Sequence, residues 1–465
     1  MSTTTPFRSL FPLALSLSLL GSAGSCATLP SVSDVIDESA AQEPPQILSA
    51  RGLLSPEQSR ALMERLKRPD APTDMLERYS AVIESVSGSP LTSGNGVALL
   101  VDGPATYAAM FAAIESARDH VNLETFIIED DETGRRFADL LLKKQAEGVQ
   151  VNLLYDSRGC INTPAPFFQR LRDGGIRVLA FNPVNPLESR GSWKVAHPDH
   201  RKILIVDGKV AFTGGINISE VYASRLSGSK RGKQAPLPWR DTDVRIEGPA
   251  VAEFQKLFLE TWRSQQGPAL PERDYYPEAK AAGTALVRAV ASSPGQANRL
   301  TFVLYVSAIT FAERSLHATI AYFVPDDETV KSLRDAARRG VDVKLVLPGN
   351  TDASLTLNAG RYFYSELLKA GVKLYERRDV LLHAKTAVVD GAWSTVGSTN
   401  MDFWSFSRND EVNAVILSRE FAAEMERMFA ADVAASHEIR PEEWERRPAI
   451  DKLKEWFAHQ FRNWL

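Results

Sequence analysis

The sequence predicts an α/β fold in two similar modules that share one site, and three observations carry that reading. First, the pattern His-x-Lys-x-x-x-x-Asp occurs twice, from His200 to Asp207 and from His383 to Asp390. Second, a small residue and an asparagine trail each copy equally, with Asn217 and Asn400 each 17 residues after the motif His. Third, the surroundings repeat: Phe126 to Thr133 parallels Tyr322 to Thr329, Gly148 to Leu154 answers Gly340 to Val346, and Gly174 to Val178 answers Ala370 to Leu374. A single match is easily accidental, but a duplicated motif inside a longer internal repeat implies two copies of one unit and one composite site. Apolar strands alternate with helix-like stretches through both copies, which predicts βαβ units and mostly parallel sheets.

In chain order, residues 1–26 read as a targeting leader. Arg8 precedes a short apolar run from Leu10 to Leu20, and Ala23-Gly24-Ser25 leads directly to Cys26. The run is too short to span a bilayer and looks like a bacterial lipoprotein signal, with Cys26 as the lipidated residue. This implies a protein of the cell envelope, anchored to a membrane and facing the periplasm or exterior; ordinary cleavage nearby would instead release it in soluble form. Residues 27–95 read as a tether, polar and proline-bearing to Gln46, followed by an N-terminal extension. The first module is expected at 96–268 and the second at 269–465, closing with a C-terminal helix. That helix has Leu453, Trp456, Phe457, Phe461, Trp464 and Leu465 on one face, a stripe that reads as core packing, with membrane contact as the other reading.

Within each motif, His and Lys two residues apart project from one face of a strand. The apolar runs Ile203 to Val206 and Ala387 to Val389 then read as buried strands ending at the Asp207-Gly208 and Asp390-Gly391 turns. The Asp lies at an odd offset from its His, so Asp207 and Asp390 are expected to act as structural supports more than as reacting groups. A charged Lys has three donors and no acceptor, so it can hold a phosphate oxygen but not a metal; His can attack, accept or donate a proton. Two of each point to phosphate chemistry without a metal or other cofactor. One neutral His would attack phosphorus, the other would protonate the leaving oxygen, and Lys202, Lys385, Asn217 and Asn400 would stabilise the anionic transition state.

From about Val97 onward the chain resembles the phospholipase D superfamily, whose mark is this duplicated motif. The resemblance is to the bacterial cardiolipin synthases in particular, through Trp239-Arg240-Asp241-Thr242 with Val244 to Pro249 and through Tyr322-Phe323-Val324-Pro325-Asp326. It implies two α/β modules packed about a pseudo-two-fold axis with the site between them. It also implies a phosphatidyl transfer through a phosphohistidine to a second phospholipid headgroup, making cardiolipin, or to water, making phosphatidic acid. His200 would be the nucleophile and His383 the acid, with phospholipid substrates such as phosphatidylglycerol or phosphatidylethanolamine. A carboxylate downstream of each His orients the imidazole in that family, a role matched by Glu411 after His383 and by Asp241 after His200. Synthases of this kind that begin with two membrane-spanning helices differ from this chain, which shows no such pair.

The charge balance narrows the alternatives. With 54 Lys and Arg against 58 Asp and Glu the net charge is −4, which is poor for general nucleic-acid binding. That disfavours a nuclease of the same superfamily, while the retained His, Lys and Asn disfavour an inert scaffold. Local cations do occur: Arg225, Lys230, Arg231 and Lys233 lie in a Gly/Ser-rich insertion that suits either a loop meeting anionic headgroups or a solvated loop. Besides Cys26 the only cysteine is Cys160, so no disulfide is expected. The remaining histidines are scattered, and His197, just before the first motif, reads as either a tuning residue or a polar lead-in.

Overall fold

A computed structural model describes residue 32 and residues 44–67, 74–189, 197–223, 237–294 and 299–465. Cys26, most of the tether and the cationic insertion with Arg225, Lys230, Arg231 and Lys233 lie outside the described residues.

The core of each half is a strand array with the same order. In the first half, Arg177–Phe181, Gln150–Asp156 and His120–Thr125 run parallel to one another. The array continues antiparallel through the motif strand Ile203–Val206, then Val210–Gly214, Thr242–Glu247 and Leu91–Val101. In the second half, Lys373–Arg377, Asp342–Pro348 and Ser315–Ile320 are the parallel set. They are followed antiparallel by Lys385–Val389, Trp393–Gly397, Glu411–Leu417 and Ala285–Ser292. The last strands of the two arrays, Leu91–Val101 and Ala285–Ser292, pair with each other. The expected mostly parallel sheets are therefore corrected to mixed ones. Each motif strand is one arm of a tight hairpin, and a three-residue connection can only return the chain antiparallel.

Those hairpins turn at Asp207-Gly208 and Asp390-Gly391, where all four residues have φ between 52° and 66°. The Asp207 carboxylate accepts hydrogen bonds from the backbone N–H groups of Arg118, Asp119 and His120. The Asp390 carboxylate accepts from those of Glu313, Arg314 and Ser315. Each Asp thus fastens its motif strand to the start of the neighbouring parallel strand and points away from the site.

Three apolar layers hold the arrays. One lies between the modules, with Ile203, Ile205, Val244, Val388, Val396 and Ala414 meeting the helices Val251–Ser264 and Arg419–Ala434. Another covers the outer side of the first module. The third covers the second module and includes Met75, Tyr79 and Ile83 of the extension helix Met75–Val86. Across the modules Arg240, fully buried, donates to Asp432 and lies 3.4 Å from Asp102, while Arg377 shares Asp432. Among the described residues no helix is long and apolar enough to cross a membrane.

The C-terminal helix Ala449–His459 and the turn Arg462–Trp464 do not pack as a core stripe. Ile450, Leu453, Trp456, Phe457, Phe461 and Trp464 are exposed, whereas Glu455 and Ala458 are buried. The inward face is held by polar partners, Glu455 with Arg447 and Arg462 with Asp327, and by His459 stacked on Tyr362. Ala458 also packs there with Val324 and Ala359, a cluster that Leu465, alone of the expected stripe, joins.

Candidate active site between the modules

Both motif histidines sit just before their strands, at the seam between the halves. Their backbones are held by the opposite module: the N–H of His200 donates to Asp410 O, and that of His383 donates to Arg240 O. Two short parallel pairings set this register, a bridge between Asp199 and Asp410 and the pairing of Leu381-Leu382 with Trp239-Arg240.

The register decides which carboxylate meets which imidazole. His200 Nδ1 lies 3.1 Å from both oxygens of Glu411. His383 Nδ1 lies 2.7 Å from Asp241 Oδ2. The pairing expected from the sequence, Glu411 with His383 and Asp241 with His200, is thereby corrected: each module's carboxylate crosses to the other module's histidine. A step of one residue along each cross-module bridge, from Asp410 to Glu411 beside His200 and from Arg240 to Asp241 beside His383, is the physical reason.

The lysines return over their own motifs. Lys202 Nζ donates to His200 O at 2.6 Å and lies 5.0 Å from the Phe126 ring centroid, and Lys385 Nζ donates to His383 O. The asparagines are matched too. Asn217 Oδ1 accepts from Ile127 N, and Asn400 Oδ1 accepts from Tyr322 N, so each amide orients against the same repeated strand end. His200, Lys202, Asn217, His383, Lys385, Asn400, Glu411 and Asp241 are all buried, and the structure brings them to one place. Asp207 and Asp390 stay apart from it at their turns.

Several residues at the site escaped the sequence reading. Tyr222 O–H accepts from Asn217 Nδ2 and lies 3.4 Å from His383 Nδ1, while Ser398 Oγ donates to Glu411. One signal was available: Tyr222 follows Asn217 by the same five-residue offset at which Ser405, a neighbour of the Asn400 amide, follows Asn400. Gly215 occupies the place of Ser398, and a Cβ there would stand 2.2 Å from Asp241 Oδ1. Trp239, Tyr222 and Tyr322 surround the His383 ring, and Phe126 meets His200 edge-on. Arg201, between His200 and Lys202, turns to the other side and meets Thr261, Ser293 and Asp410 beside a separate cavity of about 300 Å³.

Burial dominates the electrostatics. It pushes Lys202 down to about 7 and Lys385 down to about 8, against the pull of Glu411 and Asp241. Burial also lowers both imidazoles, His383 the further, and Lys385 and Lys202 add to this at each ring. Each module's lysine therefore acts on the other module's histidine. Asp241 is raised to about 6 by burial, while Glu411 is held below its usual range because His200 and Ser398 outweigh its burial. Burial thus disfavours the charged forms of both imidazoles and both lysines.

His200 opens on a cavity of about 330 Å³ lined also by Phe126, Tyr322, Asn400, Trp404 and Trp464. His197 is not part of that lining, although Pro198 is. Among the described residues no group of three or more His, Cys, Asp or Glu side chains is placed to hold a metal ion. Cys160 is buried with a free thiol pushed up to about 12 by that burial.

A duplicated motif meeting at a module seam is the architecture of the phospholipase D-type phosphatidyltransferases, and the comparisons agree. The family model described as "Cardiolipin synthase, PLD-like domain" matches residues 110–225 and 305–433. The chain belongs to this family and is a phosphatidyltransferase of the phospholipase D type. Cardiolipin synthase A of Pseudomonas putida (strain GB-1) is 38% identical over 376 residues, 79% of this chain and 75% of the relative. Cardiolipin synthase A of Pseudomonas fluorescens (strain Pf-5) is 36% identical over 419 residues, 87% of this chain and 84% of the relative. Among solved structures, the phosphatidylserine synthase of Haemophilus influenzae shares the fold with a TM-score of 0.59 at 12% identity, over 82% of this chain and 98% of that one.

Proposed function

We propose that the chain moves a phosphatidyl group from one phospholipid, through a phosphohistidine on His200, to a hydroxyl of a second phospholipid, making cardiolipin. The observation that carries this is the exchange of carboxylates: each imidazole is held at Nδ1, by Glu411 or by Asp241, so that Nε2 is left to react. Neutral His200 Nε2 attacks phosphorus. The P–O bond to the donor's alcohol breaks, and His383 Nε2 gives its proton to that oxygen, so free alcohol departs. Burial opposes the imidazolium form of His383; a bound phosphate anion and Asp241 together favour it. In the second half, His383 takes the proton from the incoming hydroxyl, whose oxygen replaces His200 on phosphorus. Lys202, Lys385, Asn217 and Asn400 bear the charge on the non-bridging oxygens.

Phosphatidylglycerol or phosphatidylethanolamine would serve as donor or acceptor, and water in place of the acceptor would give phosphatidic acid. The relatives named above support the synthase reading. Cys26 would carry the lipid that ties residues 27–46 to the envelope membrane, facing the periplasm or exterior. Lipid analysis of cells with and without the intact gene tests the reading. Cardiolipin gained with the gene supports it, phosphatidic acid gained in its place assigns a hydrolase, and unchanged lipids with phosphodiester cleavage of nucleic acid would overturn it.

A further inference from the structure

We propose that the C-terminal helix and its closing turn form a lipid-bilayer docking surface that seats the mouth of the catalytic cavity on the membrane. The inference rests on the lipid-substrate reading above. A helix at the surface of a globular protein normally buries its apolar stripe and shows its polar face. Here the arrangement is inverted: Glu455, Arg462 and His459 face the protein, while Ile450, Leu453, Trp456 and Phe457 are 52–56% exposed. These polar side chains, with the small Ala458 packed on Val324 and Ala359, dock the helix, so the outward stripe is left for another partner.

Three features choose a bilayer as that partner. The stripe runs into the site, because Phe457 contacts Phe461 and the chain end places exposed Trp464 in the lining of the cavity that His200 opens on. The composition is interfacial: exposed Lys452 and Lys454 accompany the stripe, and Arg408 lies over both Trp464 and Trp404 at the cavity rim. Aromatic side chains with cations beside them suit the headgroup boundary of an anionic membrane. Finally, a second copy seated on this face would stand against the cavity mouth, whereas a bilayer there delivers the substrate.

The test uses the full chain with a polarity-sensitive fluorophore on Leu453→Cys, and a control with the label on Lys143→Cys in the first module. On adding vesicles of phosphatidylglycerol and phosphatidylcholine, the Leu453 label should shift to the blue and be quenched by a quencher carried on the acyl chains; the Lys143 label should do neither. No shift and no quenching at position 453 in vesicle-bound protein overturns the proposal. So does a shift that needs no vesicles and grows with protein concentration, which would assign the face to a second copy. In parallel, Trp456→Glu with Phe457→Glu should lower turnover of vesicular phosphatidylglycerol about tenfold while leaving turnover of dispersed short-chain phosphatidylglycerol near wild type. Equal loss on both substrates overturns the proposal. Absence of phosphatidyl transfer in the unmodified protein on either substrate would overturn the functional reading instead, and the label would still decide the surface.

Discussion

At the scale of single residues, the exchanged carboxylates make the two histidines interdependent. Glu411 touches no reacting atom in this account; it positions His200 through Nδ1. Glu411→Gln should therefore lower kcat by about 10²–10⁴-fold, the range for disabling acid–base machinery, and should slow formation of the phosphohistidine. Asp241→Asn, which disturbs His383, should instead leave formation from a substrate with an activated leaving group largely intact and slow its breakdown. Pre-steady-state bursts separate the two, and a burst that survives Glu411→Gln but vanishes in Asp241→Asn would show that the His200 and His383 roles are reversed. The His, Lys and Asn sets were legible because one repeated motif and one repeat offset define them, although both histidines and Lys202 precede the strands on which the spacing places them. The carboxylate partners were misread because sequence order puts each after its own module's histidine, and only the cross-module register shows where it lands.

On the proposed mechanism the lysines set the pH dependence. Burial lowers Lys202 to about 7 and Lys385 to about 8, and the cationic forms, which on that mechanism hold phosphate, are lost as pH rises through those values. Because kcat/KM reports the free enzyme, it should fall above about pH 7–8. Bound phosphate raises both lysines again, so kcat should hold to higher pH. Parallel declines of kcat and kcat/KM would contradict this assignment.

At the scale of elements, the motif strands were readable from apolar runs closed by Asp-Gly, and the hairpins confirm the turns. Parallelism was over-read, since alternation of strands and helices does not reveal that the motif strands return through three-residue connections. Likewise the C-terminal stripe was visible as a helix face, but which face meets the protein depends on partners such as Asp327 and Arg447 far away in sequence. The Asp207 carboxylate caps three backbone donors, so Asp207→Ala should cost about 2 kcal/mol of stability and lower the thermal midpoint. Activity per folded molecule should stay near wild type, and Asp390→Ala should match it. Loss of activity at unchanged stability would place these residues in the chemistry.

At the scale of the whole molecule, two similar halves are joined edge to edge by Leu91–Val101 and Ala285–Ser292 and locked across the seam by Arg240 with Asp432. Neither half holds the whole arrangement: each supplies a histidine whose carboxylate partner belongs to the other. The two-module organisation was plain in the repeat, whereas the seam was not, because its pairings of one or two residues leave no periodic trace. The measurement that tests this composite site most directly is peptide mass mapping after rapid quench, with His383→Ala and a phosphatidyl donor bearing an activated leaving group. Departure then needs no acid while the later step still lacks its base, so a phosphatidyl adduct should accumulate on His200. No adduct on either histidine, in this variant or in His200→Ala, together with near wild-type turnover in both, would contradict the account.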